Sequence, residues 1–290
     1  MCSVTVVIPY HNGEQYIGRS VRSVLDQTYP VYEIIIIDDA SSKPLLSSDI
    51  PMDDRINILR LHENVGGAGA RNIGLKAAKG EYVALLDCDD EWLPHKLERQ
   101  IASMSPGRSR GTLYLCGTII MENGKVVSQS KSVEKISSPL EAVLVGGAFL
   151  QTSTYLLCTS EAIRVGFDPN LRKHQDWDFL HRWYLAGNGF HYIDEALSIY
   201  HRGGSSQVSR SRKADHSLKW IMSVQNELTD KAAAKFFLSE IYPIEFGHHP
   251  LAAMRTLLRH VVVKDITWPE AVRMTRYAFR LSVQSRFARS

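Results

Sequence analysis

The sequence predicts a doubly wound α/β sheet followed by a helical C-terminal region. Three observations carry this. Strand-like and helix-like stretches alternate over the first hundred residues of the 290-residue chain. One of the strands, "YEIIIIDD", is apolar through its middle, as a strand covered on both faces requires. From about Ser211 onward the pattern is helical, divided by Pro243, Pro250 and Pro269. The expected division is a catalytic-type domain over 1–210 and a helical region over 211–290.

Taken in order, Val4 to Ile8 is β-branched and apolar, and Pro9 stops it. "EQYIGRSVRSVLDQ" places Ile17, Val21, Val24 and Leu25 at helical spacing. The Ile34–Ile37 strand ends in Asp38 and Asp39. "INILRL" is a further strand. "GGAGARNIGLKAAKG" reads as a glycine-rich loop, a helix and a Gly80 C-cap. "EYVALLD" is the fourth strand. Beyond it, "GTLYLCGTIIMENGKVVSQS" is a hairpin turning at Asn123-Gly124. "YLLCTSEAIRVGFD" is a strand and a short helix. "QDWDFLHRWYLAGNG" is a helix closing near Gly187, and "FHYIDEALSIYH" is strand again.

Bulk composition is that of a globular protein, with 44% hydrophobic and 22% charged residues. A net charge of +3 is too small to argue for nucleic acid. Cys2, Cys88, Cys116 and Cys158 are scattered, which suggests neither a zinc site nor a disulfide framework. The opening "SVTVVIPY" lacks the features of a signal peptide, and no apolar run approaches the ~20 residues of a membrane helix. The expected setting is the reduced cytoplasm, with any membrane contact peripheral.

The chemistry gathers at strand ends. "ALLDCDDEWLP" closes an apolar strand with Asp87, Asp89 and Asp90, then Glu91. Crowded carboxylates repel, so a positive partner is expected. Ligands of open α/β sheets bind outside the carboxyl ends of the strands, where Asp38, Asp39, Asp87 and Asp89 all fall. A D-x-D there can direct oxygen ligands at one Mg²⁺ or Mn²⁺ that carries a diphosphate. A solvated acidic turn and an Asx turn at Asp38–Asp39 are the plainer readings.

Two stretches, "VTVVIPYHNGEQYIGRSVRSVLDQTYPVYEIIIIDDASS" and "ENVGGAGARNIGLKAAKGEYVALLDCDDEWLPHKLE", resemble the family 2 glycosyltransferases of the GT-A fold. The likeness is close over the first 100 residues and looser to about residue 210. It implies a Rossmann-like, mixed but mostly parallel sheet flanked by helices. It also implies roles. Pro9 and Tyr10 would lie beside the nucleotide base, with Asp38 bonded to the uracil ring and Asp39 adjacent. Arg71 would lie on the donor side, Asp87 would face the ribose and donor sugar, and Asp89 would bind the metal. In "RKHQDWDFLHRW" the resemblance selects Asp176 as general base, where the helix N-terminus favours its ionised form. Gln175 replaces the usual Glu of that pattern. "YHRGGSSQVS" resembles the loop that follows the core, with His201 near the metal or diphosphate. The plainer readings are an exposed helix arginine for Arg71, packing for Tyr10, a helix cap for Asp176 and a surface loop around His201.

The implied reaction is a metal-dependent, inverting transfer of one sugar from a nucleotide-sugar, a UDP-sugar by expectation, to a hydroxyl of a glycan or lipid-linked glycan. Bacterial relatives of this size build lipopolysaccharide, capsule or exopolysaccharide. The Q-x-x-R-W motif of the processive polymerases is missing, which favours single additions. The alternatives are a non-catalytic nucleotide-sugar module and a sugar-nucleotide pyrophosphorylase. Against the second, "PYHNGEQYI" stands where that class has a basic glycine-rich loop. In the last twenty residues Arg273, Arg276 and Arg280 share a helical face beside Met274, Tyr277 and Leu281, either on an anionic membrane surface or closing the fold.

Overall fold

The computed structural model describes residues 2–105, 110–130, 132–133, 136, 138–203, 214–262 and 266–287. The chain divides into two compact units: Met1–Pro139 with Ala148–Gln207, and Leu140–Gly147 with Val208–Ser290. The elements are β1 (Val4–Tyr10), α1 (Glu14–Leu25), β2 (Glu33–Asp38), β3 (Ile56–Arg60), α2 (Gly66–Ala77), β4 (Tyr82–Leu85), β5 (Glu91–Trp92), α3 (Lys96–Ala102), β6 (Thr112–Glu122), β7 (Lys125–Gln129), α4 (Pro139–Leu144), β8 (Leu156–Cys158), α5 (Thr159–Val165), α6 (Gln175–Leu185) and β9 (Gly189–Arg202). Helices α7 (Ala214–Val224), α8 (Asp230–Phe236), α9 (Tyr242–His248), α10 (Pro250–Val262) and α11 (Trp268–Phe287) follow.

The first unit is built on one mixed sheet in the order β3-β2-β1-β4-β8-β6-β9-β5, with β7 beside β6. Strands β3, β2, β1 and β4 run parallel. Strand β8 is antiparallel to β4 and β6, while β9 is parallel to β6. The all-apolar β2 is covered on both faces, as its composition requires. Ile34 and Ile36 join Ile17, Val21 and Val24 of α1 in one core, while Ile35 and Ile37 join Ala70 of α2 in another.

Small residues let α2 lie close to the sheet. A Cβ on Gly74 would stand 2.3 Å from Val7 Cγ1. Two expectations change here. The glycine-rich stretch Gly66–Gly69 is the first turn of α2 and not a loop. Gly80 is not its C-cap, because the helix closes at an extended Ala78. Gly80 is needed for another reason: a Cβ there would lie 2.7 Å from the Thr5 backbone nitrogen. The hairpin does turn at Asn123-Gly124, both with positive φ (51° and 74°), as a two-residue turn demands. The helix start at Gln175 and its close at Gly187 also match. Tyr200 and His201, which the strand stretch "FHYIDEALSIYH" and the loop stretch "YHRGGSSQVS" both include, belong to β9, and the strand ends at Arg202. Gly204 to Ser209 of the loop stretch lie outside the described residues.

The second unit has its own core, in which Leu238, Tyr242, Leu257, Val261, Ile266, Ala271 and Ala278 pack together. Its helical run widens into a π turn over Phe237–Ile241, ending two residues before Pro243, which has no N–H to donate. Pro250 opens α10 and Pro269 lies in the first turn of α11, where a missing N–H costs nothing. Arg273 and Arg276 are exposed on α11, as expected. Met274 is not beside them in solvent but packs on the core. The side chains of Tyr277, Arg280 and Leu281 lie outside the description. Among the described residues no helix is long and apolar enough to cross a membrane.

Candidate active site

Strands β2 and β4 flank β1 and run parallel to it, so Asp38 and Asp87 leave the sheet at the same edge. They are not neighbours, since β1 stands between them. After β4 the chain turns, with Asp90 N donating to Asp87 O at 3.0 Å, and enters β5 at Glu91. The acidic cluster is therefore a tight turn at the carboxyl edge.

Arg71 of α2 is the cation at its centre, and it is buried rather than exposed. Its Nη2 donates to Asp87 Oδ1 at 2.5 Å, and its Nη1 donates to Gln175 Oε1 at 3.0 Å. Thr152 Oγ1 donates to the other Asp87 oxygen at 3.1 Å. Ser153 links the next carboxylate: its hydroxyl donates to Asp90 Oδ2 at 2.6 Å, and the Asp87 N–H donates to that hydroxyl at 3.1 Å.

Asp89 stands differently. Its backbone carbonyl accepts from Arg19 Nη2 at 2.8 Å. Its carboxyl, half-buried, is pushed up to about 6 by burial first and by the Asp87 charge second. Asp90, fully buried, is pushed well above the usual carboxylate range by burial and then by Asp89 and Asp87. His201 reaches this turn from the end of β9. Its Nε2 meets Glu91 Oε1 at 2.5 Å, its N–H donates to Asp90 Oδ1 at 3.3 Å, and Arg19 Nε lies 3.1 Å from the same Glu91 oxygen.

Asp176 is the second residue of α6, after His174, whose positive φ of 62° turns the chain into the helix. Its carboxylate accepts from the Trp177 N–H at 3.0 Å, and Tyr155 OH donates to its carbonyl at 3.3 Å. Burial is the main influence on the acid and raises it to about 6. Arg71 pulls it down and Asp87 pushes it up, so the charges of the Arg71 cluster are felt at Asp176. Asp178 is held by Arg182 Nε at 2.7 Å, one turn along the helix.

The residues expected at the nucleobase have other partners. Asp38 is fully buried, accepting from Ser41 N at 2.9 Å, Leu45 N at 3.2 Å and Arg60 Nη1 at 2.7 Å. Against its burial, these bonds and the Arg60 charge hold it below the usual range. Asp39 accepts from Val65 N at 2.7 Å and Gly66 N at 2.9 Å, so it secures the start of α2. Pro9 is half-buried beside Tyr10, whose ring sits in the core. The Tyr10 hydroxyl is buried without a partner among the described residues, and burial, followed by Glu14 and Asp38, pushes it to about 12.

The fold thus gathers Arg71, Asp87, Asp89, Asp176 and His201 around one turn, and gives Asp38 and Asp39 to neighbouring loops. Arg19, Thr152, Ser153 and the direct contact of Gln175 were not legible beforehand. The hydroxyl run "TST" is visible in the sequence, but nothing in its spacing ties it to Asp87.

Asp89, with Asp87 behind it, presents hard oxygen donors in a half-buried acidic turn. Among the described residues no group of three His, Cys, Asp or Glu side chains is arranged to hold a metal ion. A donor set this sparse fits a cation that takes one or two carboxylates and completes its shell with phosphate oxygens and water, as Mg²⁺ does.

Comparison with known proteins bears on the family and the fold. Residues 5–157 match the family described as Glycosyl transferase family 2. The chain is 45% identical over 221 residues to the putative teichuronic acid biosynthesis glycosyltransferase TuaG of Bacillus subtilis, covering 73% of this chain and 83% of that protein. It is 32% identical over 240 residues to the amylovoran biosynthesis glycosyltransferase AmsB of Erwinia amylovora, covering 78% and 79%. In three dimensions it resembles S. aureus TarS 1–349 in complex with UDP-GlcNAc, with a TM-score of 0.63, 20% identity, and coverage of 94% and 79%.

Proposed function

Because the chain belongs to glycosyl transferase family 2 and has the GT-A fold, we propose that it moves one sugar from a UDP-sugar to a hydroxyl of a bacterial surface glycan, with inversion. It is a glycosyltransferase, and its relatives act in bacterial polysaccharide synthesis. The observation that carries the finer reading is the joining of Asp87 and the Asp176 segment through a single buried arginine. This couples a donor-side carboxylate to a base.

In this reading Pro9 and Tyr10 border the nucleobase, while Asp38 and Asp39 shape the turns around it. Asp87 faces the ribose and donor sugar. Asp176 accepts the acceptor hydroxyl's proton as that oxygen attacks the anomeric carbon. The bond from that carbon to the diphosphate breaks as the new one forms, and UDP leaves with the electron pair. Because attack and departure occur on opposite faces, configuration inverts. Asp89 would hold Mg²⁺ or Mn²⁺, which supplies positive charge to the leaving diphosphate. His201, held by Glu91, stands beside that turn as a phosphate contact. UDP is favoured by the UDP-GlcNAc of the TarS complex. The acceptor is a glycan, lipid-linked on the analogy of surface-polysaccharide synthesis, and the exposed Arg273 and Arg276 would meet an anionic membrane on its cytoplasmic side.

The test is UDP release from UDP-glucose, UDP-galactose, UDP-N-acetylglucosamine and UDP-glucuronate, with and without Mn²⁺. Metal-dependent release from one of them, quickened by a glycan acceptor, is expected. A protein that binds these donors yet never releases UDP would be a binding module.

A further inference from the structure

Arg71 has three side-chain nitrogens and an unequal set of partners. Nη2 donates to Asp87 at 2.5 Å and lies 3.4 Å from Thr152 Oγ1, Nη1 donates to Gln175 Oε1 at 3.0 Å, and Nε is buried with no partner among the described residues. The Gln175 amide is fixed from its other end. Its Nε2 donates to Leu171 O at 2.7 Å, so only the oxygen faces Arg71. The pair is packed tightly under the first turn of α2. A Cβ on Gly67 would stand 3.1 Å from Arg71 Nη1 and 3.3 Å from Gln175 Oε1. Gln175 is the first residue of α6 and directly precedes Asp176.

The charges around Asp176 are few. From α2 there is Arg71, and from the turn after β4 there is Asp87. Tyr155 donates to the Asp176 carbonyl, and burial keeps its hydroxyl protonated. On the approach to α6, Arg172 points at Gly66, and Lys173 lies beside His174, which burial keeps neutral. Asp178 is bound by Arg182. One guanidinium therefore touches Asp87 and is felt at Asp176 and Asp89. A glutamate at 175 would add a further carboxylate, in direct contact with it.

We infer that Gln175 is a positioning residue: it holds Arg71 through a neutral oxygen, so that the guanidinium charge is left to the carboxylates of the site, Asp87 by direct contact and Asp176 at longer range. The inference rests on Asp176 being the base. Its consequence is that the base stays ionised in the working pH range while the donor-side carboxylate stays paired. Exchange of Gln175 for a carboxylate draws Arg71 toward position 175 and places a like charge one residue from the base.

The experiment compares full-length wild type, Gln175→Glu, Gln175→Met and Asp176→Asn, using whichever of the four UDP-sugars turns over. Gln175→Glu should move the acid limb of the kcat profile upward by about one pH unit. Gln175→Met adds no charge, so its acid limb should stay in place while donor KM rises, because Arg71 has lost its holder. An unmoved limb in Gln175→Glu overturns the inference. If Gln175→Glu does not fold, an unchanged donor KM in Gln175→Met overturns it. The two readings separate through Asp176→Asn. Near wild-type transfer by that variant removes the base and this inference with it, whereas lost transfer with an unmoved Gln175→Glu limb removes this inference alone.

Discussion

Arg71 Nη2 lies 2.5 Å from Asp87 Oδ1, joining a helix that starts at the glycine-rich turn to the acidic end of β4. The arginine is buried, and its charge is needed there, because Asp87, Asp89 and Asp90 crowd one turn. Arg71→Lys keeps the charge but not the fork that reaches Asp87 and Gln175 together. Donor KM should rise and kcat should fall by about tenfold or more, with the protein still folded by circular dichroism. Arg71→Ala leaves the half-buried Asp87 without its partner and should lower stability by ~1–3 kcal/mol in urea unfolding.

Asp176 is raised to about 6 chiefly by burial, so the rate should fall about tenfold per pH unit below that value. Asp176→Asn should lower kcat by ~10²–10⁴ with UDP affinity nearly unchanged, and higher pH should not restore it. The same shift has a signed effect on stability. A carboxyl whose folded pKa lies above its ordinary 3.8 favours the fold when protonated, and that contribution is lost as pH rises through about 6. Asp176→Asn should therefore be more stable than wild type by ~1–3 kcal/mol at pH 8 and no more stable at pH 4. Chemical denaturation at the two pH values checks it.

Asp89→Ala tests the metal reading by binding alone. UDP affinity should lose its dependence on Mn²⁺ in calorimetry while the melting curve keeps its cooperativity. An unchanged Mn²⁺ dependence would move the metal to another carboxylate.

Gly80 faces the Thr5 backbone at a distance no Cβ tolerates. Gly80→Ala should cost ~1–3 kcal/mol by overpacking, since strand backbone cannot yield as a flexible side chain does. The measurement is the urea midpoint, with donor affinity as the control.

Contact with an anionic membrane is best tested by charge. Truncation from Ala271 would remove Ala271 and Ala278 from the core of the second unit and unfold it. Arg273→Gln with Arg276→Gln keeps that core. At ~1 kcal/mol per basic residue, the pair should bind phosphatidylserine vesicles about ten- to thirtyfold more weakly at low salt. Equal binding would leave α11 a closing helix only.

Short-range pattern was enough for some parts of this protein. β2 was legible because a strand covered on both faces must be apolar throughout, and α1 because Ile17, Val21 and Val24 recur at helical spacing. The turn at Asn123-Gly124 followed from backbone preference. The acidic edge followed from carboxylates ending two strands, and resemblance then assigned them roles. Which residues pair with which was settled only in three dimensions. Gly80 reads locally as a helix end, but its constraint comes from Thr5, 75 residues away in the chain. His201 reads both as the end of a strand and as the start of a loop, and β6 decides it by pairing along β9 as far as Arg202. Arg71 reads by pattern as a helix arginine, and only resemblance puts it on the donor side. It is buried because its neighbours in space, Asp87, Thr152 and Gln175, come from three distant segments, and no local periodicity encodes an ion pair closed across them.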